Sequence, residues 1–279
     1  MAEVAIVTDS ISDVPTEEQE RLSIVVVPAV ITLDGETFQD GVDLSRDEFY
    51  QRLPNLKTPA TTAAPTPALF EEAYERLFTE GVQTILSIHI PMTLSGMINV
   101  VTLAAKPFGN RVKVFDSGQI TLASGYQAIE AAQVAKDGGT IEMAIERARL
   151  VKENVQLIAF IDNLEYLKRS GRINWLTAGL GNLLKVKLLL EVVNGVVERL
   201  GQVRTRGKAM ERLKSIAETW GPLERLAVPH TVAPDLARGF ASRLEHLCER
   251  KLITPDVTPA LGAHLGPGAL GIIGMRKII

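Results

Sequence analysis

The first half of the chain alternates short apolar runs with longer segments in which apolar residues recur every three to four positions. The apolar runs, which predict β-strands, are residues 4–8, 24–31, 83–88 and 112–115. The amphipathic segments, which predict helices, are residues 67–80, 119–136 and 140–153. Strands that alternate with helices are typical of a parallel sheet covered on both faces. The sequence therefore predicts an N-terminal parallel-sheet α/β/α domain.

The pattern changes near residue 155, where strand signals become more frequent. The predicted strands of this half are residues 155–161, 185–193, 196–203 and 225–228, and two further apolar segments, 257–261 and 269–275, flank a loop that contains His264. Asn194-Gly195 joins two of them and is the strongest short signal for a β-hairpin. We therefore predict a two-domain α/β protein, with a C-terminal α+β domain that has a largely antiparallel sheet. The predicted domains are residues 1–155 and 156–279.

Composition restricts the classes of function. The 279 residues are 46% apolar and 23% charged, which is typical of a folded globular protein. The net charge is −3 and no basic block occurs, so a nucleic acid or an anionic membrane surface is not indicated as a partner. No apolar run reaches the roughly 18 residues that span a bilayer. The single cysteine, Cys248, cannot form an internal disulfide. These features predict a soluble cytoplasmic protein.

Small polar residues follow three predicted parallel strands. They are Thr8-Asp9-Ser10, Thr93-Leu94-Ser95-Gly96 and Asp116-Ser117. Ligands of open parallel sheets bind beyond the carboxyl ends of the strands, so these residues are candidates for a site. Ser95 either caps the next helix or turns its hydroxyl to an anion at the helix N-terminus. His89, beside Ile88 and Ile90, is better explained as a packing residue.

Two further segments contain candidate binding residues. His264 lies among glycines and a proline in residues 262–268, which predicts a loop that either presents the imidazole or uses it to hold the turn. Residues 57–67 hold four threonines and three prolines. This segment is either a stiff connector or a loop whose hydroxyls are preorganised to bind a carboxylate.

Taken in order, these motifs resemble the DegV family. The set comprises Thr8-Asp9-Ser10, Thr61-Thr62, Leu94-Ser95-Gly96, Asp116-Ser117, Leu164-Glu165-Tyr166-Leu167 with Gly171-Arg172-Ile173, and His264 with Gly266-Pro267-Gly268. The resemblance covers essentially the whole chain. It implies a bacterial protein that binds one long-chain fatty acid between its two domains. The second domain, residues 156–279, is the one that the resemblance implies to be lipid-enclosing. It also implies a fatty acid kinase subunit without catalysis of its own, which presents the acyl carboxylate to a separate ATP-binding kinase subunit for acyl phosphate formation.

The resemblance also implies which residues bind the carboxylate. They are Thr62, Ser95 and His264, because the family loop commonly reads Thr-Ser-Gln-Pro and Pro65 aligns with its proline. Ala63 and Ala64 replace the serine and glutamine here, so a one-residue shift would make Thr61 the substitute for Thr62. The family's Ser-Gly-Thr is Ser95-Gly96-Met97 in this chain, which removes one hydroxyl near the head group but keeps the serine.

Three basic residues form a separate group of candidates. Arg172 follows Gly171, and Arg204 and Arg206 lie between the second strand of the hairpin and the next helix. They are either solvated or helix-capping residues or, as the resemblance implies, a surface that docks the kinase subunit.

A stand-alone serine hydrolase or esterase is the alternative function, with Ser95, His264 and Asp116 as its triad. The chain lacks the Gly-x-Ser-x-Gly elbow of such enzymes. It also lacks a Walker loop, and the glycines of residues 262–268 do not have the strand-to-helix setting of a nucleotide motif. The four histidines are scattered, so neither a metal nor another cofactor is expected besides the fatty acid ligand.

Overall fold

The computed structural model describes residues 3–171 and 186–278. Its strands are β1 (Val4–Asp9), β2 (Val25–Val27), β3 (Val30–Leu33), β4 (Glu36–Gln39), β5 (Thr61–Ala63), β6 (Thr84–His89), β7 (Val112–Asp116), β8 (Val155–Ile161), β9 (Lys187–Val193), β10 (Val196–Val203), β11 (Leu223–Ala227) and β12 (Leu270–Arg276). Its α-helices are α1 (Thr16–Leu22), α2 (Arg46–Arg52), α3 (Pro67–Thr79), α4 (Met97–Ala105), α5 (Thr121–Lys136), α6 (Ile141–Asn154), α7 (Leu164–Arg169), α8 (Arg206–Ala217), α9 (Pro234–Ala241) and α10 (Pro259–Leu265).

The chain forms two compact units. One contains residues 1–30 and 63–153, and the other contains residues 31–62 and 154–279. A single division at residue 155 would place residues 31–62 in the first domain, whereas their contacts group them with the second unit. The segment that carries Thr62 therefore belongs to the same unit as the C-terminal sheet.

The first unit is built on a four-stranded parallel sheet in the order β2-β1-β6-β7. The register pairs β1 with β6 and β6 with β7 in parallel, as the alternation of strands and helices predicts. Helix α5 packs against β1 and α4 packs against β7. The predicted N-terminal architecture is confirmed.

The second unit contains a five-stranded antiparallel sheet in the order β10-β9-β8-β12-β11 and a three-stranded sheet in the order β4-β3-β5. Asn194 and Gly195 join β9 to β10 with φ angles of 48° and 80°, the left-handed pair that a two-residue type I′ hairpin requires. Helix α8 buries Ala209, Leu213 and Ala217 against the five-stranded sheet. The predicted antiparallel C-terminal domain is therefore confirmed. Among the described residues, no helix is both long enough and apolar enough to cross a membrane.

A fully buried polar network joins two neighbouring strands of the parallel sheet. Asp9 Oδ2 lies 2.8 Å from His89 Nδ1, and His89 Nε2 lies 2.7 Å from Ser87 Oγ. Ser87 Oγ in turn lies 2.7 Å from the Tyr74 hydroxyl, and burial raises the pKa of Tyr74. Asp9 Oδ1 also accepts the backbone N–H of Ile11 at 3.0 Å. His89 is thus a buried histidine with partners on both nitrogens, as predicted for a packing residue.

We expect Asp9→Ala to lower the free energy of unfolding by roughly 3 kcal/mol, because it leaves an imidazole and a backbone N–H buried without their acceptor. Denaturant unfolding followed by circular dichroism measures the change. The matched control is Asp137→Ala, since Asp137 is exposed and contacts the side chain of Gln133. Its effect should stay within about 0.5 kcal/mol, as is usual for surface sites. Equal effects of the two substitutions would contradict a stabilising role for the network.

Candidate functional site

Thr62 and His264 meet in the second unit, although 202 positions separate them in the chain. Thr62 Oγ1 lies 2.8 Å from His264 Nε2. Thr62 is in the short strand β5, where neighbouring side chains point to opposite faces, so Thr61 points away from this contact. Thr62 is half-buried and Thr61 is exposed, which fits this alternation.

His264 lies in the last turn of α10, not in the loop that the surrounding glycines predict. The helix begins at Pro259, so part of the apolar segment 257–261 that flanks the predicted loop is also helical. Proline at the first helical position followed by alanines and leucines was the signal for this helix. Gly266, with φ of 67°, ends it. A short helix fixes the imidazole more firmly than an irregular loop would.

Two tyrosine rings pack closely against Gly262 of α10 and against Gly266, the residue that ends the helix. A methyl group at Gly262 would overlap the Tyr50 ring and lie 2.8 Å from Tyr50 Cζ, and one at Gly266 would lie 2.7 Å from Tyr166 Cγ. The Tyr50 hydroxyl donates to the Val257 carbonyl at 3.0 Å, just before the helix. We did not predict a role for Tyr50. The glycine inside the helical segment was the available signal, since such glycines often mark a close approach.

Ser95 and Asp116 belong to the first unit. Helix α4 begins at Met97, and the half-buried Ser95 accepts the Met97 N–H on Oγ at 3.2 Å. Accepting this bond leaves the hydroxyl proton of Ser95 able to donate. The Asp116 carboxylate accepts the backbone N–H of Met92 at 3.1 Å and that of Gly118 at 2.8 Å. Asp116 therefore holds the loop that leads to Ser95.

Residues 266–271 spell Gly-x-Gly-x-x-Gly, the letters of a dinucleotide-binding motif. They follow α10 directly and end inside β12, so the segment runs from a helix to a strand. The nucleotide motif runs from a strand to a helix, whose N-terminus binds the pyrophosphate. This segment therefore has the wrong order of elements for a nucleotide site. No group of histidine, cysteine, aspartate and glutamate side chains that could hold a metal occurs among residues 3–171 and 186–278.

Comparison with known proteins places the chain in a family. The family model described as "Uncharacterised protein, DegV family" matches residues 3–277. The chain belongs to the DegV family. A DegV domain-containing protein of Streptomyces coelicolor is 37% identical to it over 274 residues, which covers 97% of each chain.

Solved DegV structures share its fold. A DegV family protein from Thermus thermophilus, described by its fatty acid binding, is 28% identical with a TM-score of 0.91 and covers 99% of this chain and 100% of its own. DegV from Bacillus subtilis, described as a fatty acid binding protein, is 29% identical with a TM-score of 0.87 and the same two coverages. The match runs over full length in both cases, so the family assignment applies to both units.

The basic residues of this DegV family chain have different surroundings. Arg206 donates two hydrogen bonds to Asp162, from Nε at 2.9 Å and Nη2 at 2.7 Å, and Lys187 Nζ lies 3.0 Å from the same carboxylate. Burial raises the pKa of Asp162, but the bonds from Arg206 and Lys187 outweigh it and hold this pKa below its usual value. Arg204 is exposed. Arg172 lies outside the described residues. Arg206 is therefore part of an ion pair, whereas Arg204 faces solvent.

Proposed function

We propose that this protein binds one long-chain fatty acid and that Thr62, His264 and Ser95 bind its carboxylate. The observation that carries the proposal is the contact of Thr62 Oγ1 with His264 Nε2. The two solved DegV structures compared above are described as binding fatty acids, which supports the same ligand class here. Ser95 enters the proposal from the family resemblance and from its hydroxyl, which keeps a proton to donate.

The chemistry of the pair suits a carboxylate. If Nε2 carries the imidazole proton, it donates to Thr62 Oγ1, and the Thr62 hydroxyl proton is then directed elsewhere. A donor that itself accepts a hydrogen bond is polarised and donates more strongly. An incoming carboxylate oxygen can accept from the Thr62 hydroxyl, from Nε2–H after a small shift, or from both. The pair therefore supplies directed donors without a fixed counter-charge.

The carboxylate and the acyl tail of the ligand contribute to binding in different ways. A carboxylate removed from water must be hydrogen-bonded, because an unpaired buried charge is very costly. The acyl tail gains roughly 0.8 kcal/mol for each buried CH₂ group, so a sixteen-carbon tail gains on the order of 10 kcal/mol before losses. Tail burial thus sets the affinity, while the polar residues set the orientation and select for an acid.

The bound acid is a substrate for a second protein in this proposal. We infer that the chain acts as the binding subunit of a fatty acid kinase and presents the carboxylate to an ATP-binding partner that forms the acyl phosphate. The sequence has no Walker loop, and its Gly-x-Gly-x-x-Gly segment runs from helix to strand, so ATP is expected to bind to the partner. This role also fits the predicted cytoplasmic location.

The proposed carboxylate ligands can be tested one at a time. Thr62→Val, Ser95→Ala and His264→Ala should each weaken fatty acid binding about 10- to 100-fold, because each removes one hydrogen bond to a charged group. Calorimetric titration of delipidated protein with oleate measures the affinity. Thr61→Val is the matched control, since the neighbouring threonine points away from His264. If Thr61→Val weakened binding and Thr62→Val did not, the proposal that Thr62 binds the carboxylate would be wrong.

The binding and hydrolase hypotheses are separated by what the purified protein holds and does. We expect mass spectrometry of an organic extract to find fatty acid in stoichiometric amount. A fatty acid should raise the melting temperature of the delipidated protein, because a ligand that binds the folded state stabilises it by mass action. Mg-ATP should not raise it. Ester hydrolysis that Ser95→Ala abolishes would instead support the hydrolase, and saturable Mg-ATP binding would contradict the subunit role.

Partner docking is proposed for the basic residues Arg172, Arg204 and Arg206. Charge reversal at the exposed Arg204 is the clearest test, because Arg206→Glu would also break the ion pair with Asp162. Arg204→Glu should slow acyl phosphate formation with the kinase subunit and leave oleate affinity unchanged, since rim charges act mainly on association. Arg212→Glu, at an exposed position of α8, is the control. If reversal at Arg204, alone and combined with Arg172→Glu, left the reaction rate unchanged, docking would have to occur elsewhere.

A further inference from the structure

The two ends of α10 are held by two adjacent residues from a distant part of the chain. His230 and Thr231 follow β11 and lie between the segment that enters α10 and the segment that leaves it. The His230 backbone donates to the Pro255 carbonyl at 3.1 Å and accepts from the Val257 N–H at 2.9 Å. His230 Nδ1 also lies 2.8 Å from Asp256 Oδ1. The entrance to the helix is thus fixed by His230.

Thr231 fixes the exit. Its backbone N–H donates to the Ala269 carbonyl at 3.0 Å, and its carbonyl accepts from the Gly268 N–H at 2.7 Å. Its hydroxyl donates to the Gly266 carbonyl at 2.6 Å and accepts from the Ala269 N–H at 2.9 Å. One fully buried residue therefore makes four hydrogen bonds to the four-residue loop that directly follows the helix of His264.

The next residue adopts a costly conformation. Val232 has a φ of 50°, in the left-handed region that β-branched residues rarely enter. Its side chain is 51% exposed, so hydrophobic burial does not explain why the conformation persists. Such backbone conformations persist where surrounding contacts determine them, and they cluster near functional sites. The bonds of Thr231 to residues 266–269 are contacts of that kind, and the turn at Val232 redirects the chain into α9.

We propose that Thr231 is a positioning residue for His264, and that its hydroxyl sets where the imidazole meets Thr62. The role of this geometry in ligand binding rests on the proposed function. The link from Thr231 to His264 is short. The Thr231 hydroxyl donates to the Gly266 carbonyl, and Gly266 ends the helix two residues after His264. Losing this bond frees the last turn of a seven-residue helix, and the Thr62–His264 contact loosens with it.

The test compares Thr231→Val, which keeps the shape and removes the hydroxyl, with Thr231→Ser, which keeps the hydroxyl. The first readout is the nitrogen spectrum of the histidine side chains in ligand-free protein. With four histidines in the chain, the His264 signals can be assigned from His264→Ala. Thr231→Val should move the His264 signals toward those of Thr62→Val, and Thr231→Ser should leave them near the wild-type positions.

The second readout is oleate affinity, measured well below the melting temperature. Thr231→Val should weaken oleate affinity about tenfold, the effect expected when one hydrogen bond between His264 and the carboxylate is lost. Thr231→Ser should restore the affinity. Thr219→Val is the control, because the Thr219 hydroxyl also donates to a backbone carbonyl, that of Ile216, but at an exposed position. If Thr231→Val does not fold, Thr231→Cys, whose thiol is a weak donor, is measured in the same way.

The outcomes are distinct. A lower melting temperature with unchanged His264 signals and unchanged oleate affinity would make Thr231 a structural residue only and overturn the proposal. A shifted His264 spectrum in a protein that binds no fatty acid would support the positioning role and contradict the proposed function.

Discussion

The candidate site depends on one hydrogen bond, between Thr62 Oγ1 and His264 Nε2. It joins a three-residue strand to the last turn of a seven-residue helix, and neither element is long enough to be stable alone. Each is held by its surroundings: β5 by the sheet it shares with β3, and α10 by Tyr50, Tyr166, His230 and Thr231. The geometry of the pair is therefore set by packing and hydrogen bonds across the second unit.

The contacts that hold α10 explain why residues 31–62 group with the C-terminal part of the chain. Tyr50 of α2 contacts Gly262 of α10. The Tyr50 hydroxyl and the Arg46 guanidinium donate to carbonyls just before α10. A threonine from the first quarter of the sequence and a histidine near its end thus share one compact unit, so a single division at residue 155 does not describe these contacts.

The sequence predicted the features that depend on local periodicity and turn chemistry. The parallel sheet, the antiparallel sheet and the Asn194-Gly195 hairpin follow from short-range patterns. Features set by tertiary contacts leave weaker signals in the local sequence. Asp13-Val-Pro15 resembles a helix start, but Asp13 adopts a φ of 51° and accepts the Thr121 hydroxyl at 2.6 Å, and α1 begins at Thr16. Asp13 instead ends the 3-10 turn Ser10–Ser12, and its carboxylate bonds to a residue 108 positions away, which no local pattern indicates.

The candidate site shows the same difference between local patterns and tertiary contacts. The residue types and order of Thr62, Ser95 and His264 were available from the sequence, but the helix that carries His264 and the tyrosines that hold it were not. Glycines suggested a loop, whereas Gly262 is needed because Tyr50 approaches the helix closely. The approach of a tyrosine 212 positions away has no local signal other than the glycine itself. The sequence therefore indicated candidate residues, but not the helix and the close contacts that position His264.

The most direct test of the central claim is a crystal structure of the protein with a bound long-chain fatty acid. The account predicts a carboxylate oxygen within about 2.6–3.2 Å of both Thr62 Oγ1 and His264 Nε2. A fatty acid whose carboxylate lies elsewhere, with the Thr62–His264 bond unchanged and no ligand atom in contact with either residue, would contradict it.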